Sequence, residues 1–313
     1  DDLVEKRARL LDDLLEPHFK EHSPAFDMAL QLTNCEYDET NLCKLILELF
    51  DEAMQRPDMD AFFESLIAPY RCEFNVGNKY YDQALQKARE YVSVLKTEAA
   101  ELLDNAELIE GNNQEQIEYA ETVSGAIDIL EYSLSKGYDD FSEKLRESDF
   151  KRTIRKGNDC EAKKIFGAIK NDIIKRIDEL KDCFLYSVDK TEKIRQKVLP
   201  AVELIIDLCR QLFDAFYEFC KEENVLTVNL CEQLTYQLLM GKLGGEGLVK
   251  KEYAEVMVDE YQDVNNLQDA IFTSLSNGGK NLFVVGDVKQ SIYAFRGSNP
   301  ENFIEKEKTQ EKK

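Results

Sequence analysis

Apolar residues recur at helical spacing through most of the first 224 residues. Between residues 81 and 109 they lie three, four or seven positions apart, at Tyr81, Ala84, Ala88, Tyr91, Leu95, Leu102 and Ile109. This spacing places them on one face of a helix of roughly 30 residues. A similar stripe follows the turn at 111–113, at Ile117, Ala120, Ser124, Ile127, Leu134 and Phe141. The pattern therefore predicts two long antiparallel helices.

Further amphipathic helices are predicted on both sides of this pair. The first 70 residues contain several short apolar stripes, one of them preceded by Asp58 as an N-cap. Two longer helices are expected from about 161 to 185 and from about 191 to 220, and Pro200 should kink the second or begin a new helix. Alternation typical of strands does not occur before about residue 224, so this part is predicted to be helical.

The pattern changes after Asn224. Two short apolar runs, 254–258 and 281–285, are typical of buried strands, and a helical pattern from 265 to 276 separates them. A strand, a helix and a second strand in this order are typical of a parallel α/β sheet. The predicted fold is therefore mostly α, with a C-terminal α/β part.

Two asparagines are expected to begin helices in this part of the chain. Asn229 is placed to cap a helix that runs to Met240, and Asn299 precedes Pro300 at the first position of a C-terminal helix. Between these helices, the glycines from 241 to 247 predict a flexible loop.

Composition narrows the possible functions. The 313 residues include 62 acidic and 40 basic ones, and the formal net charge of −22 excludes a protein that coats nucleic acid through bulk charge. Only 14 glycines and 6 prolines occur, too few for the turns of an all-β sandwich or barrel. No apolar run approaches the ~20 residues that cross a bilayer, and the first residues do not resemble a secretory signal. The sequence therefore predicts a cytoplasmic protein without membrane contact.

The eight cysteines stand singly, with no CxxC pair. Cys209, Cys220 and Cys231 are eleven residues apart, a spacing that places them on one helical face. We interpret the cysteines as reduced core residues rather than as ligands of a metal or an iron–sulfur cluster.

A local basic cluster interrupts the helical part at Lys151, Arg152, Arg155 and Lys156. Lysine and arginine displace counterions from nucleic acid, so the cluster is a candidate contact for a phosphate backbone. A solvated connector between helices would have the same composition, and charge alone slightly favours the connector.

Carboxylates follow the first predicted strand, in the segment Asp259-Glu260-Tyr261-Gln262-Asp263. The carboxyl end of a buried parallel strand is where an open α/β sheet places ligand-binding groups. In nucleoside triphosphatases an Asp at this position holds Mg²⁺, and the next Glu can orient and deprotonate the attacking water. Acidic helix caps look the same, so this segment by itself is a weak signal.

The second predicted strand is followed by Gly286-Asp287-Val288-Lys289-Gln290. The glycine allows the backbone to turn sharply at the sheet edge, and the Gln290 amide is suited to sense a terminal phosphate. A polar sensor after one strand and an Asp-Glu pair after the other are expected at the same edge of the sheet.

Tyr293, Phe295 and Arg296 follow within six residues of Gln290. Aromatic rings beside an arginine suit stacking on unpaired bases and pairing with a phosphate. The alternative is that Tyr293 and Phe295 are core aromatics. That alternative does not explain why Gln, Tyr, Phe and Arg follow an Asp-Glu strand in one sheet.

The two segments together resemble motifs II and III of the UvrD/Rep-like superfamily 1A DNA helicases. The similarity rests on DEYQD at 259–263 and GDVKQSIYAFRGSNP at 286–300. The second segment is most similar to the AddA (RexA) family of helicase–nuclease subunits. The resemblance covers most of the chain, strongly only after about residue 224.

The resemblance implies roles in ATP hydrolysis for three residues. Asp259 would coordinate the Mg²⁺ of MgATP, and Glu260 would act as general base for the attacking water. Gln290 would contact the γ-phosphate and report it to the DNA site.

The resemblance implies DNA contacts for three more. Tyr293 and Phe295 would stack on single-stranded bases, and Arg296 would help to couple the DNA site to the ATP site. The family often has Trp at the stacking position, whereas this chain has no Trp.

The resemblance also implies a domain organisation. Residues 1–224 would form the helical 1B-like insertion domain, and residues 225–313 the C-terminal part of the RecA-like domain 1A, a P-loop NTPase sheet. No GxxxxGK[ST] loop occurs in the sequence, and the second motor domain and the nuclease domain have no counterpart. The chain is therefore expected to begin after the P-loop, to stop after motif III and to be inactive alone.

The implied function is that of a fragment of an ATP-dependent DNA helicase or translocase, one chain of a larger complex, in DNA double-strand-break repair and recombination. The parent protein would be an ATP hydrolase with an associated exonuclease. It would use ATP and Mg²⁺, act on single-stranded and duplex DNA, and work with an AddB/RexB-like partner subunit.

Two alternatives remain open at this point. One is a helical protein-interaction scaffold with a degenerate nucleotide-binding half. The other is a metal-dependent phosphohydrolase that uses Asp259, Glu260 and Asp263, although it leaves the cluster of Gln, Tyr, Phe and Arg unexplained.

Overall fold

The computed structural model describes residues 2–34, 40–111, 113–151, 154, 160–243, 253–291 and 297–309. The helices are α1 (Asp2–Glu21), α2 (Pro24–Leu32), α3 (Thr40–Ala53), α4 (Met59–Arg71), α5 (Lys79–Glu107), α6 (Gln114–Lys136), α7 (Tyr138–Glu147), α8 (Glu161–Cys183), α9 (Val188–Glu222), α10 (Val228–Leu239), α11 (Asn266–Leu275) and α12 (Glu301–Thr309). The strands are β1 (Val256–Val258) and β2 (Leu282–Val284). This confirms a mostly helical fold with a small C-terminal α/β part.

Two compact units contain these elements. The helical unit comprises Pro69–Gln196, and the two-segment unit comprises Asp1–Ala68 together with Lys197–Lys313. These units are groups of residues that contact one another within the fold, and they are not a test of domain identity. The predicted boundary between 1–224 and 225–313 therefore stays a prediction. Across the described part of the chain, none of the helices is both long and apolar enough to span a membrane.

The predicted antiparallel pair is the centre of the helical unit, where α5 packs along α6. Lys96 Nζ lies 2.6 Å from Glu131 Oε2, and the Asn113 amide donates to the Ala106 carbonyl at 3.1 Å. Tyr91 is exposed rather than buried. The buried face of α5 is formed by Tyr81, Leu85, Ala88, Val92, Leu95, Ala99, Leu102 and Ala106.

The second stripe is not one helix, because the chain breaks at Gly137 between α6 and α7. Gly137 has φ +123°, which only glycine adopts without strain. The Tyr138 N–H donates to the Tyr81 hydroxyl at 3.3 Å, so the break is tied to α5 by a buried hydrogen bond. The apolar spacing continues across this break, which is why the pattern predicted a single helix.

Three further predictions need correction. Helix α9 runs through Pro200, so a new helix does not begin there. Helix α10 is capped by Thr227, whose hydroxyl accepts the Leu230 N–H at 3.2 Å, and not by Asn229. Cys231 lies on α10 and is exposed, so it does not share a face with Cys209.

Apolar faces of α1 to α4 and α9 form the main core of the two-segment unit. The largest contributors include Leu11, Leu15, Phe26, Leu42, Ile46, Phe50, Ile205, Leu208, Leu212 and Phe216. Cys209 and Cys220 are buried in this core as free thiols. Burial raises the pKa of Cys209 to about 12, so the thiol stays protonated and behaves as a small apolar side chain.

The sheet has the predicted parallel arrangement. Met257 of β1 pairs with Phe283 of β2, with Val256 and Val258 opposite Leu282 and Val284. Helix α11, which connects the strands, begins with a capping box: Asn265 Oδ1 accepts the Gln268 N–H at 2.8 Å, and the Gln268 side chain accepts the Asn265 N–H at 3.1 Å. Asn299 caps α12 as predicted, because its side chain accepts the Glu301 N–H at 3.2 Å.

Candidate functional site

The two parallel strands bring Asp259 and Glu260 to the same edge of the sheet as the described residues that follow β2. The backbone pairing continues past the strands, since the Val285 N–H donates to the Val258 carbonyl at 2.9 Å and the Tyr261 N–H donates to the Val285 carbonyl at 2.8 Å. Asp259 and Glu260 therefore leave β1 directly beside the residues that leave β2. This is the side-by-side placement that the sequence predicted for the two segments.

Glu260 turns the chain sharply at the end of β1. Its backbone is left-handed, with φ +53° and ψ +42°, a conformation that is strained for any residue with a Cβ. The Glu260 N–H donates to Asp259 Oδ1 at 2.9 Å, which closes the turn. As a result both carboxylates are exposed at the sheet edge.

Gln262 lies directly beneath this turn and is only 1% exposed. Its Nε2 donates to Glu260 Oε2 at 2.7 Å, and its Oε1 accepts the Asp287 N–H at 2.9 Å. A backbone N–H can only donate, so the Asp287 contact fixes which end of the amide faces which strand. The side chain therefore joins the turn at Asp259 and Glu260, called here the acidic turn, to the segment that follows β2.

Asp287 extends this connection to Gln290. The Gln290 side chain donates from Nε2 to Asp287 Oδ2 at 3.0 Å, and the Lys289 N–H donates to Asp287 Oδ1 at 3.0 Å. Val288–Gln290 form a short 3-10 helix whose N-cap is Asp287. Glu260, Gln262, Asp287 and Gln290 thus form a row of hydrogen-bonded residues, called here the amide row.

Gly286 is required at this edge for a steric reason. A Cβ at this position would lie 2.5 Å from Gln262 Oε1 and 3.1 Å from the Tyr261 N. Its φ is not positive, so the close approach of Gln262, and not the sharp turn expected from the sequence, explains the glycine.

Tyr261 anchors the turn from below and is fully buried. Its hydroxyl donates to Asp269 Oδ1 at 2.5 Å, and Lys306 Nζ lies 2.8 Å from the same carboxylate oxygen. Burial raises the pKa of Tyr261, and the hydrogen bond to Asp269 and the negative charge of Asp269 raise it further. Tyr261 therefore holds the turn against α11 and α12 as a neutral hydrogen-bond donor.

The sequence indicated Asp259, Glu260 and Gln290, but it assigned no role to Gln262 or Asp287. Both are polar residues inside motif segments, and a polar residue in a turn is normally solvated. Gln262 is buried because of the 3-10 turn at Tyr261–Asp263. The pattern of apolar and polar residues did not predict this turn, so it did not predict a role for Gln262.

Several predicted contacts lie outside the described residues. These are Tyr293, Phe295 and Arg296 of the second segment, and Arg152, Arg155 and Lys156 of the basic cluster. Lys151 is described, and its Nζ lies 2.8 Å from Asp178. The hydrogen bond to Asp178 and the charge of that carboxylate raise the pKa of Lys151, which stays a cation.

The chemistry of the acidic turn fits a magnesium ion that arrives with a nucleotide. Asp259 offers an exposed carboxylate, and Mg²⁺ is commonly held by one or two carboxylates together with substrate phosphates and water. Within the part of the chain that the structure describes, no three or more His, Cys, Asp and Glu side chains are grouped to hold a metal.

The fold and the amide row define a mostly helical protein whose parallel strands carry an acidic turn and a glutamine at one edge. The family described as UvrD/REP helicase N-terminal domain matches residues 9–311. The chain therefore belongs to this family, which confirms the resemblance inferred from the two motif segments.

The names of similar proteins are consistent with membership of this family. The chain is 28% identical to an ATP-dependent helicase/nuclease subunit of Staphylococcus carnosus over 95% of its residues, and 26% identical to that of Oceanobacillus iheyensis over 96%. The protein of the same name from Listeria monocytogenes is 28% identical over 97% of the chain. The chain spans about a quarter of the length of these relatives, from 25% to 26%.

Proposed function

We propose that this chain is part of an ATP-dependent DNA helicase or translocase, and that the acidic turn and the amide row are its share of the ATP-hydrolysis site. The observation that carries the proposal is the hydrogen-bonded connection between Glu260 and Gln290. It links a candidate base to a candidate phosphate sensor across two strands. Family membership and the names of the relatives support the same class.

Each residue of the edge has a defined task in this proposal. Asp259 would hold the Mg²⁺ that arrives with the nucleotide, and that ion would supply positive charge against the phosphate groups. Glu260 orients the attacking water in line with the γ-phosphate and accepts a proton from that water. Gln290 donates from its amide to a γ-phosphate oxygen, in place of its hydrogen bond to Asp287.

The remaining parts of the proposal concern DNA and partners. Tyr293 and Phe295 stack on bases of single-stranded DNA, and Arg296 couples this contact to the ATP site. Residues 1–224 are the helical 1B-like insertion, and residues 225–313 belong to the RecA-like domain 1A. The complete protein acts in the cytoplasm on single-stranded and duplex DNA, in double-strand-break repair and recombination, with an AddB/RexB-like subunit. This chain alone hydrolyses no ATP.

The test measures DNA-stimulated ATP hydrolysis on the complete protein, which this proposal expects to supply a GxxxxGK[ST] loop outside these residues and which is called here the P-loop-containing protein. Glu260→Gln keeps the shape of the side chain but removes the base, so turnover should fall by at least about 100-fold. Glu255→Gln is the control, because Glu255 is also an exposed glutamate but precedes β1, at the opposite end of the strand. Undiminished turnover in Glu260→Gln would instead support the scaffold alternative.

A further inference from the structure

The Gln262 side chain uses both ends of its amide between the two strand termini. It donates to the Glu260 carboxylate at 2.7 Å and accepts from the Asp287 backbone at 2.9 Å. Its own backbone carbonyl accepts from the Ser291 hydroxyl at 3.4 Å, beyond Gln290 in the chain. Three contacts therefore tie one residue to both motif segments.

The surroundings of Gln262 leave the amide little freedom. It is 1% exposed, and the absent Cβ of Gly286 creates the space that Oε1 occupies. A buried amide that lost either partner would leave an unsatisfied polar group, which is costly in free energy. The Glu260 carboxylate is consequently held at a defined distance from the backbone of Asp287.

We propose that Gln262 is a positioning residue for ATP hydrolysis, which orients the Glu260 carboxylate and transmits displacement of the 286–291 segment to it. This inference rests on the proposed function, since it assumes that Glu260 acts on water. Gln262 itself touches neither nucleotide nor water in this account. When Gln290 exchanges its Asp287 contact for a phosphate, the movement of Asp287 reaches Glu260 through the Gln262 amide.

Two substitutions disrupt the connection from Glu260 through Gln262 to Asp287, one at Gln262 itself and one at the glycine beside it. Gln262→Met keeps the length of the side chain but loses the donor and the acceptor. Gly286→Ala keeps Gln262 but places a methyl carbon 2.5 Å from Oε1, too close for the amide to stay where it is.

Each substitution has a control elsewhere in the chain. Gln233 is a second buried glutamine, 2% exposed, whose amide donates to the carbonyls of Met54 and Arg56 at 2.9 and 2.8 Å. Gln233→Met therefore matches the loss of buried hydrogen bonds away from the site. Gly125→Ala matches the added methyl group, because a Cβ there meets nothing within 4 Å.

The experiment measures kcat and KM for ATP in the P-loop-containing protein, together with thermal unfolding of every variant. Gln262→Met and Gly286→Ala should lower kcat by about 10- to 100-fold through misplacement of the base, with KM for ATP changed less than about twofold. Gln233→Met should lower the unfolding temperature to a similar extent as Gln262→Met but leave kcat of the folded protein unchanged. Gly125→Ala should alter neither kinetic constant.

The outcomes separate this inference from the proposed function. If Glu260→Gln retains turnover, the proposed function fails whatever the Gln262 variants do. If Glu260→Gln is inactive but Gln262→Met and Gly286→Ala keep wild-type kcat, the positioning role is overturned. If Gln262→Met does not fold, Gly286→Ala decides the question, since its wild-type kcat would overturn the inference and its reduced kcat at unchanged KM would support it.

Discussion

At the scale of residues, the acidic turn combines a strained backbone with a fully buried support. Glu260 is left-handed, at a cost of about 1 kcal/mol or more for a residue with a Cβ. Tyr261 and Gln262, which follow it, are almost completely buried and hydrogen-bonded through their side chains. These contacts over-determine the turn, which explains how an exposed glutamate is held in this conformation.

The Tyr261 hydroxyl should contribute measurably to stability. Tyr261→Phe leaves the partly buried Asp269 carboxylate with one donor fewer, so the free energy of unfolding in urea should fall by about 1 to 2 kcal/mol at pH 7. Tyr253→Phe, at an exposed tyrosine, should change it by less than about 0.5 kcal/mol. Equal effects of the two substitutions would show that the buried hydrogen bond contributes nothing.

The difference in unfolding free energy between wild type and Tyr261→Phe should depend on pH. Folding raises the pKa of Tyr261, so above about pH 10 the unfolded chain releases a proton that the folded chain retains. The stabilisation is complete below about pH 10 and declines as the pH rises further. The stability difference between wild type and Tyr261→Phe should therefore shrink in alkaline urea titrations, and a constant difference would contradict this.

At the scale of elements, the features set by neighbouring residues could be predicted from the sequence. The features set by contacts between distant segments could not. The helix start at Asn265, the cap at Asn299 and the positions of the two parallel strands were predicted correctly, because a few adjacent residues determine each of them. The expectation that both strands are buried was wrong, since Met257 and Phe283 at their centres are 68% and 60% exposed. The break at Gly137 was missed, since buried apolar residues continue at helical spacing on both sides of it, and its hydrogen bond to the Tyr81 hydroxyl joins it to another helix. For the same reason the inward turn of Gln262 left no trace in the residue pattern.

The break between α6 and α7 gives a test at this scale. Gly137→Ala forces a residue with a Cβ into φ +123°, with the Tyr81 hydroxyl 3.5 Å away, so stability should fall by about 1 to 3 kcal/mol. Gly125→Ala lies inside α6 with open space around the Cβ and should raise stability by about 0.5 to 1 kcal/mol. Urea unfolding measures both, and a stabilised Gly137→Ala would refute the break.

At the scale of the whole molecule, the chain is a quarter-length match to helicase/nuclease subunits and carries only part of the proposed site. The net charge of −22 excludes a broad basic surface, and the proposed DNA contact needs only local basic and aromatic groups. The family and the edge that carries the motifs were predictable, since both depend on short contiguous segments. The amide row was not, because it joins residues 25 positions apart.

We propose that Glu260 acts in the chemical step rather than in nucleotide binding. The most direct measurement is single-turnover hydrolysis of radiolabelled MgATP on the P-loop-containing protein, preloaded with single-stranded DNA, for wild type and Glu260→Gln. For Glu260→Gln we expect ATP binding within about threefold of wild type and a hydrolysis rate at least about 100-fold lower. Hydrolysis by Glu260→Gln at the wild-type rate would contradict it.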